Sequence, residues 1–99
     1  MNMNSLMAQA QKMQRDLEKK QQEIQNSEYN GTSQLVDVTL YGNKKVKNII
    51  IKNKENLDSE DLEMLEDMIK IAINDAISKI EKDIESKMGM YGKQLGGLM

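Results

Sequence analysis

Between Ile69 and Ile84 the chain reads IKIAINDAISKIEKDI, an amphipathic helical stretch whose apolar face changes width halfway along. Up to Ile77 the face is broad, with Leu62, Leu65, Met68, Ile69, Ala72, Ile73, Ala76 and Ile77; beyond it only a narrow seam continues, through Ile80, Ile84 and Met88. A broad stripe packs on a sheet, whereas a seam stepping by three and four packs against one other helix. One helix is therefore expected to serve two partners, and the rest of the chain has to supply a sheet and a second helix.

The second helix is found at the other end of the sequence. From Met3 to about Asn26, apolar residues recur at Met3, Leu6, Ala10, Met13, Leu17 and Ile24, with Lys20 at the one seam position that is not apolar. At 1.5 Å per residue this helix is about 36 Å long. Its opposite face carries Lys12, Arg15 and Lys19, three and four apart and so grouped together.

The sheet lies between the helices. Gln34 to Tyr41 alternates, with Val36, Val38 and Leu40 on one face and Asp37 and Thr39 on the other. Gly42-Asn43 fits a type II′ hairpin turn, and Lys45 to Lys52 returns as a second strand. Val46 is out of phase with Ile49 and Ile51, which is consistent with a bulge that the sequence does not place. Asn26 to Ser33 holds turn formers and a short edge strand around Glu28 and Tyr29, and Asn53 to Asp58 is a polar connection. The long helix then starts near Asp58 or Ser59, either of which is a capping residue, and runs to about Met88, roughly 45 Å. Residues 1–88 are expected to form a single domain and residues 89–99, Gly-rich and without a period, a flexible tail.

Lengths constrain the assembly. Strands of six to eight residues span about 20 to 27 Å, so a small sheet cannot cover either helix along its whole length. The economical arrangement pairs the seam of Leu6, Met13 and Leu17 with that of Ile77, Ile80 and Ile84, within the subunit or across a two-fold axis. Helical arms then project from a β platform. A chain of 99 residues builds a modest core, so a homodimer is expected.

Composition narrows the chemistry. The chain has no His and no Cys, which removes the usual bases, nucleophiles and thiolate metal sites. The acids Asp58, Glu60, Asp61, Glu63, Glu66 and Asp67 lack calcium-loop spacing and complement the positive end of a helix dipole. No Gly-rich loop precedes a helix, so neither catalysis, cofactor nor metal is expected. A run of about 18 apolar residues and a signal-peptide layout are both absent, which makes the cytoplasm the expected setting and a membrane partner unexpected.

The net charge of −2 conceals a polarity along the chain. Residues 1–57 carry nine Lys or Arg against six acids, residues 58–75 seven acids against Lys70 alone, and residues 76–99 four Lys against three acids. On the long helix Lys79 and Lys82 fall opposite the seam, so both arms carry a basic stripe outward. Such stripes contact phosphates with little sequence preference. Lysines beside Asp75, Asp83 and Glu85 are equally at home on a solvated face. Asn74 flanks the apolar face, positioned for a bond to strand or partner backbone, while Asp75 faces outward.

Here the chain resembles the YbaB/EbfC family of nucleoid-associated proteins. The resemblance is carried by Met64-Leu65-Glu66-Asp67-Met68, Ala72-Ile73-Asn74-Asp75-Ala76, Lys79-Ile80-Glu81, the spacing from Gly31 to Leu35-Val36, and Met7, Ala10, Gln11 and Met13 in the first helix. It covers nearly the whole chain. Lys52-Asn53 departs from the pattern, standing where many members have Asp-Pro. The resemblance implies an α+β subunit of order α-β-β-β-α, a small antiparallel sheet with two long helices, and a tweezers-like homodimer. It also implies non-enzymatic binding of duplex DNA, a place in the nucleoid and an influence on gene regulation, with DNA contacts carried over onto Lys12, Arg15, Lys19, Lys79 and Lys82. The competing expectation is a protein-protein interaction module that uses the helical seams and the acidic start of the second helix.

Overall fold

In the computed structural model, which describes residues 2–89, helix α1 (Met3–Asn26) opens on Asn2, whose side-chain oxygen accepts the Ser5 N–H at 2.8 Å. Strands β1 (Glu28–Thr32), β2 (Val36–Tyr41) and β3 (Val46–Ile51) follow, then a 3-10 turn at Lys54–Asn56 and helix α2 (Asp61–Met88). The three strands make one antiparallel sheet in the order β1-β2-β3, so the fold is α+β with the order α-β-β-β-α. Apart from Gly89, the Gly-rich segment expected as a tail lies outside the described residues.

Register explains the phase problem of β3. Thr39 pairs with Asn48 but Leu40 pairs with Val46, so Lys47 is the extra residue of a bulge. Two residues then oppose one, and Val46 returns to the face shared by Ile49 and Ile51. That face also holds Val36, Val38 and Leu40, each buried, together with Tyr29 and Gly31 of β1.

The hairpin differs from the type II′ expectation. Tyr41 C=O accepts from Lys44 N–H at 2.8 Å, Tyr41 N–H donates to Lys45 C=O at 2.9 Å, and the left-handed residue is Lys44, with φ 70°. This is a three-residue loop. Gly42 is required for a different reason: a Cβ there would lie inside the Ile24 carbonyl and 3.1 Å from Gln25 Cα, where the end of α1 rests on the turn.

Helix α2 starts later than Asp58 or Ser59. The Asp58 carboxylate accepts the N–H groups of Glu60 and Asp61, at 3.0 and 3.1 Å, and Asp61 accepts the Asp58 N–H in return. Asp58 thus holds the turn before the helix rather than its first residue. The buried stripe of α2 is Ala72, Ala76, Ile80, Ile84 and Met88, and α2 lies over β1 and β2. Small side chains at Ala72 and Ala76 meet Gly31, so the helix approaches the strand backbone closely.

Contact with the strands runs from Met68, whose C=O accepts from Ser33 Oγ, to Asp83, which accepts from the Tyr29 hydroxyl. The narrowing of the apolar face at Ile77 is therefore not where α2 leaves the sheet, because polar contacts to β1 continue beyond it. Within the subunit the two seams do not pair along their length. The molecule is 71 Å long, against helices of about 36 and 42 Å. The helices are staggered and meet near their ends, where Leu17 and Ile24 join the core that holds Ile84 and Met88.

Candidate nucleic-acid interface

The stagger leaves the first four turns of α1 without a partner among the described residues. Leu6 is 48% exposed and Met13 55%, Leu17 is half-buried, and only Ile24 of this helix is fully buried. On α2, Ile77 is half-buried while Ile80 and Ile84 are buried. The projecting arm is thus the N-terminal part of α1. Lys12, Arg15 and Lys19 all lie exposed on it, Lys12 about 18 Å along the axis from Ile24. Arg15 Nε donates to Gln11 C=O at 3.5 Å, and Lys12 and Lys19 make no ion pair among the described residues.

Lys79 is placed differently. Its ammonium donates to Asn30 C=O at 2.7 Å and lies 3.4 Å from Asp75, which itself accepts the Thr32 N–H at 3.0 Å. Lys79 thereby ties α2 to β1. Lys82 is exposed and forms no ion pair among the described residues. Several other basic side chains of the body are neutralised: Lys47 pairs with Glu28, Lys52 with Asp37 at 3.4 Å, and Lys87 with Asp83 at 3.0 Å. Unpaired positive charge on a projecting element is therefore concentrated on α1.

The strand-helix clasp shapes its own electrostatics. The Thr32 N–H, with Lys79 beside it, holds the Asp75 carboxyl below the usual carboxylate range. Burial would raise Asp83, but the Tyr29 hydroxyl and Lys87 outweigh it and hold that carboxyl low as well. Burial pushes the Tyr29 hydroxyl up, and donation to Asp83 pushes it further. Asp75 makes the strand-backbone bond expected of Asn74, whereas Asn74 stays exposed and turns away from the strands. The signal available in the sequence was the spacing of Asp75 to Lys79 and Asp83 to Lys87, both i to i+4.

A second surface is apolar. Val46 and Ile49 stand on the core face of the sheet yet are 49% and 44% exposed, because α2 covers β1 and β2 and stops short of β3. Ile69, Ile73 and Ile77 of α2 lie on the flank away from Asp75 and Lys79, counting 100° per residue, and are only half-buried. Strand face and helix flank together form an apolar step that no described residue fills.

Comparison with known proteins fixes the lineage. The model of the YbaB/EbfC DNA-binding family matches residues 1–95. The chain belongs to that family. Relatives include nucleoid-associated proteins of Enterococcus faecalis, 42% identical over 97% of this chain and 93% of that protein, and of Lactococcus lactis subsp. cremoris, 44% identical over 96% and 97%. One from Ruminiclostridium cellulolyticum is 42% identical over 98% of this chain and 85% of its own. For this YbaB/EbfC member, no described helix is long and apolar enough to cross a membrane, and the described residues contain no cluster of acids arranged to hold a metal ion.

Proposed function

We propose that this chain is a non-enzymatic, nucleoid-associated protein that binds duplex DNA as a homodimer and so influences nucleoid organisation and gene expression. The observation that carries the reading is the α1 arm, where Lys12, Arg15 and Lys19 lie in one exposed stripe, without ion-pair partners among the described residues. Charges spaced by three and four residues along a free helix meet successive phosphates, giving affinity that depends on salt and little on sequence. Lys82 extends the stripe on α2; Lys79, occupied by Asn30 and Asp75, contributes least. Family membership supports the same reading.

The homodimer rests on the apolar step. A second copy seated over Val46, Ile49 and the Ile69–Ile73–Ile77 flank would cover it, and a stable interface buries about 800 Å² on each partner. Two subunits joined there carry two arms on one body, as the tweezers form requires. The test is a mobility-shift titration on duplex DNA at two salt concentrations. Replacing Lys12, Arg15 and Lys19 together by Gln is expected to weaken binding at least tenfold and to flatten the log–log salt dependence by about 0.9 for each phosphate no longer neutralised. Unchanged affinity and slope would reject the α1 site.

A further inference from the structure

Sheet edges expose backbone groups that can pair with another strand, and β1 and β3 are both edges. They are protected very differently. Around β3 the sequence places Lys45, Lys47 and Lys52, with the bulge at Lys47, and both devices discourage strand addition. Strand β1 reads EYNGT, with no Lys, no Pro and no bulge.

Backbone direction shows which β1 groups are at risk. Ser33 N–H donates to Val36 C=O and Gly42 N–H to Ser27 C=O, so residues 27, 29, 31 and 33 turn their backbone groups toward β2. By alternation, Glu28, Asn30 and Thr32 turn theirs outward. Helix α2 occupies one group on each of the last two: Lys79 takes the Asn30 C=O at 2.7 Å, and Asp75 takes the Thr32 N–H at 3.0 Å. The two side chains also lie 3.4 Å apart, one helical turn from each other, so each steadies the other over the edge.

Nothing in the helix packing would otherwise forbid pairing. With strands about 4.8 Å apart, two copies joined antiparallel through β1 would place their α2 helices about 10 Å apart, an ordinary interhelical distance. Joined through β3 the same helices would stand about 19 Å apart and leave the centre of the sheet uncovered. The β1 edge is thus the one at which a second copy fits flush.

We propose that Asp75 and Lys79 form a lock on the β1 edge, and that the occupant the lock excludes is β1 of a second copy running antiparallel. The lock keeps the assembly closed at its working size. It gives the Asn-Asp stretch of α2 a task separate from DNA binding.

The test is sedimentation velocity on the full chain at fixed concentration, with the wild-type mass as reference, so the outcome does not depend on the wild type being a dimer. Asp75→Ala with Lys79→Ala is expected to at least double the mass. Adding Thr32→Pro, which removes the outward N–H at an edge position that tolerates Pro, is expected to restore the wild-type mass. A double variant that stays at the wild-type mass would overturn the proposal. So would growth that Thr32→Pro does not reverse, since that is aggregation from reduced stability. Hydrogen exchange provides an independent reading: the Thr32 amide of the wild type should exchange slowly despite its edge position, and free exchange there would also overturn the lock.

Discussion

Replacing Gly31 by Ala tests the closest approach in the fold. The added Cβ would stand 2.6 Å from Ala76 N and 2.8 Å from Ala76 Cβ, and closer still to the Ala72 carbonyl oxygen. Two of these three atoms are backbone, so no rotamer change relieves the clash. To bring the Ala72 carbonyl oxygen out to ordinary contact α2 must retreat from β1 by about 1.5 Å, enough to forfeit more than about half of the dispersion attraction between helix and strand. The retreat also stretches the 2.7 Å bond from Lys79 to Asn30. Overpacking of this kind costs about 1–3 kcal/mol, and a backbone clash belongs at the upper end. For a domain of this size about 3 kcal/mol corresponds to a fall in Tm of more than about 12 °C. Thermal unfolding followed by circular dichroism measures it. A variant melting within about 4 °C of wild type would refute the close packing of α2 on β1.

The other tests address separate parts of the molecule. Ile49→Asp, on the uncovered strand face, is expected to yield a monomer with unchanged helix content, read by sedimentation and circular dichroism; an unaltered dimer would place the interface elsewhere. Lys79→Gln is expected to leave DNA affinity within about twofold while Lys12→Gln with Arg15→Gln lowers it severalfold, because Lys79 is engaged by Asn30 and Asp75 whereas Lys12 and Arg15 form no ion pair among the described residues. In acid, Asp37, Asp75 and Asp83 should destabilise the fold. Their carboxyls lie below the usual range when folded, so their contribution is complete above about pH 4 and disappears as pH falls through the folded values. Asp75→Asn should therefore flatten the fall of Tm on acidification. Tyr29 has the opposite sign: its hydroxyl is raised, so its contribution is complete below about pH 10 and is lost above it, and Tyr29→Phe should reduce alkaline destabilisation.

Much of this fold was legible because periodicity reports burial. The alternation of Val36, Val38 and Leu40 gave the central strand, and the broad stripe through Ala72 and Ala76 gave the face of α2 that meets the sheet, although Ile80, read as part of a helix-packing seam, is buried in the same core. Details governed by chain-to-chain proximity were not. That Gly42 is needed beneath Ile24, rather than for its own torsions, depends on where a helix ends in space. The division of labour among lysines was equally hidden: Lys12 and Lys79 look alike on a helical wheel, and only the outward carbonyl of Asn30 separates a free cation from an occupied one. The overhang of α1 was foreseeable from lengths, whereas the end-to-end stagger of the helices was not, since seams of three and four specify a partner but no offset.

The buried stripe of α2 recurs every four residues, from Ala72 through Met88, in a helix that turns 3.6 residues per revolution. Each step therefore rotates the buried direction by about 40°, and four steps swing it through about 160°. The helix works as a screw, facing the sheet at one end and α1 at the other. The bearing of the arm is consequently written in the number of repeats between the two contacts. Inserting one residue between Ala76 and Ile80 would turn the arm's seat by about 100° and lengthen α2 by only about 1.5 Å, so the direction in which the arm reaches is far more sensitive to sequence length than its reach.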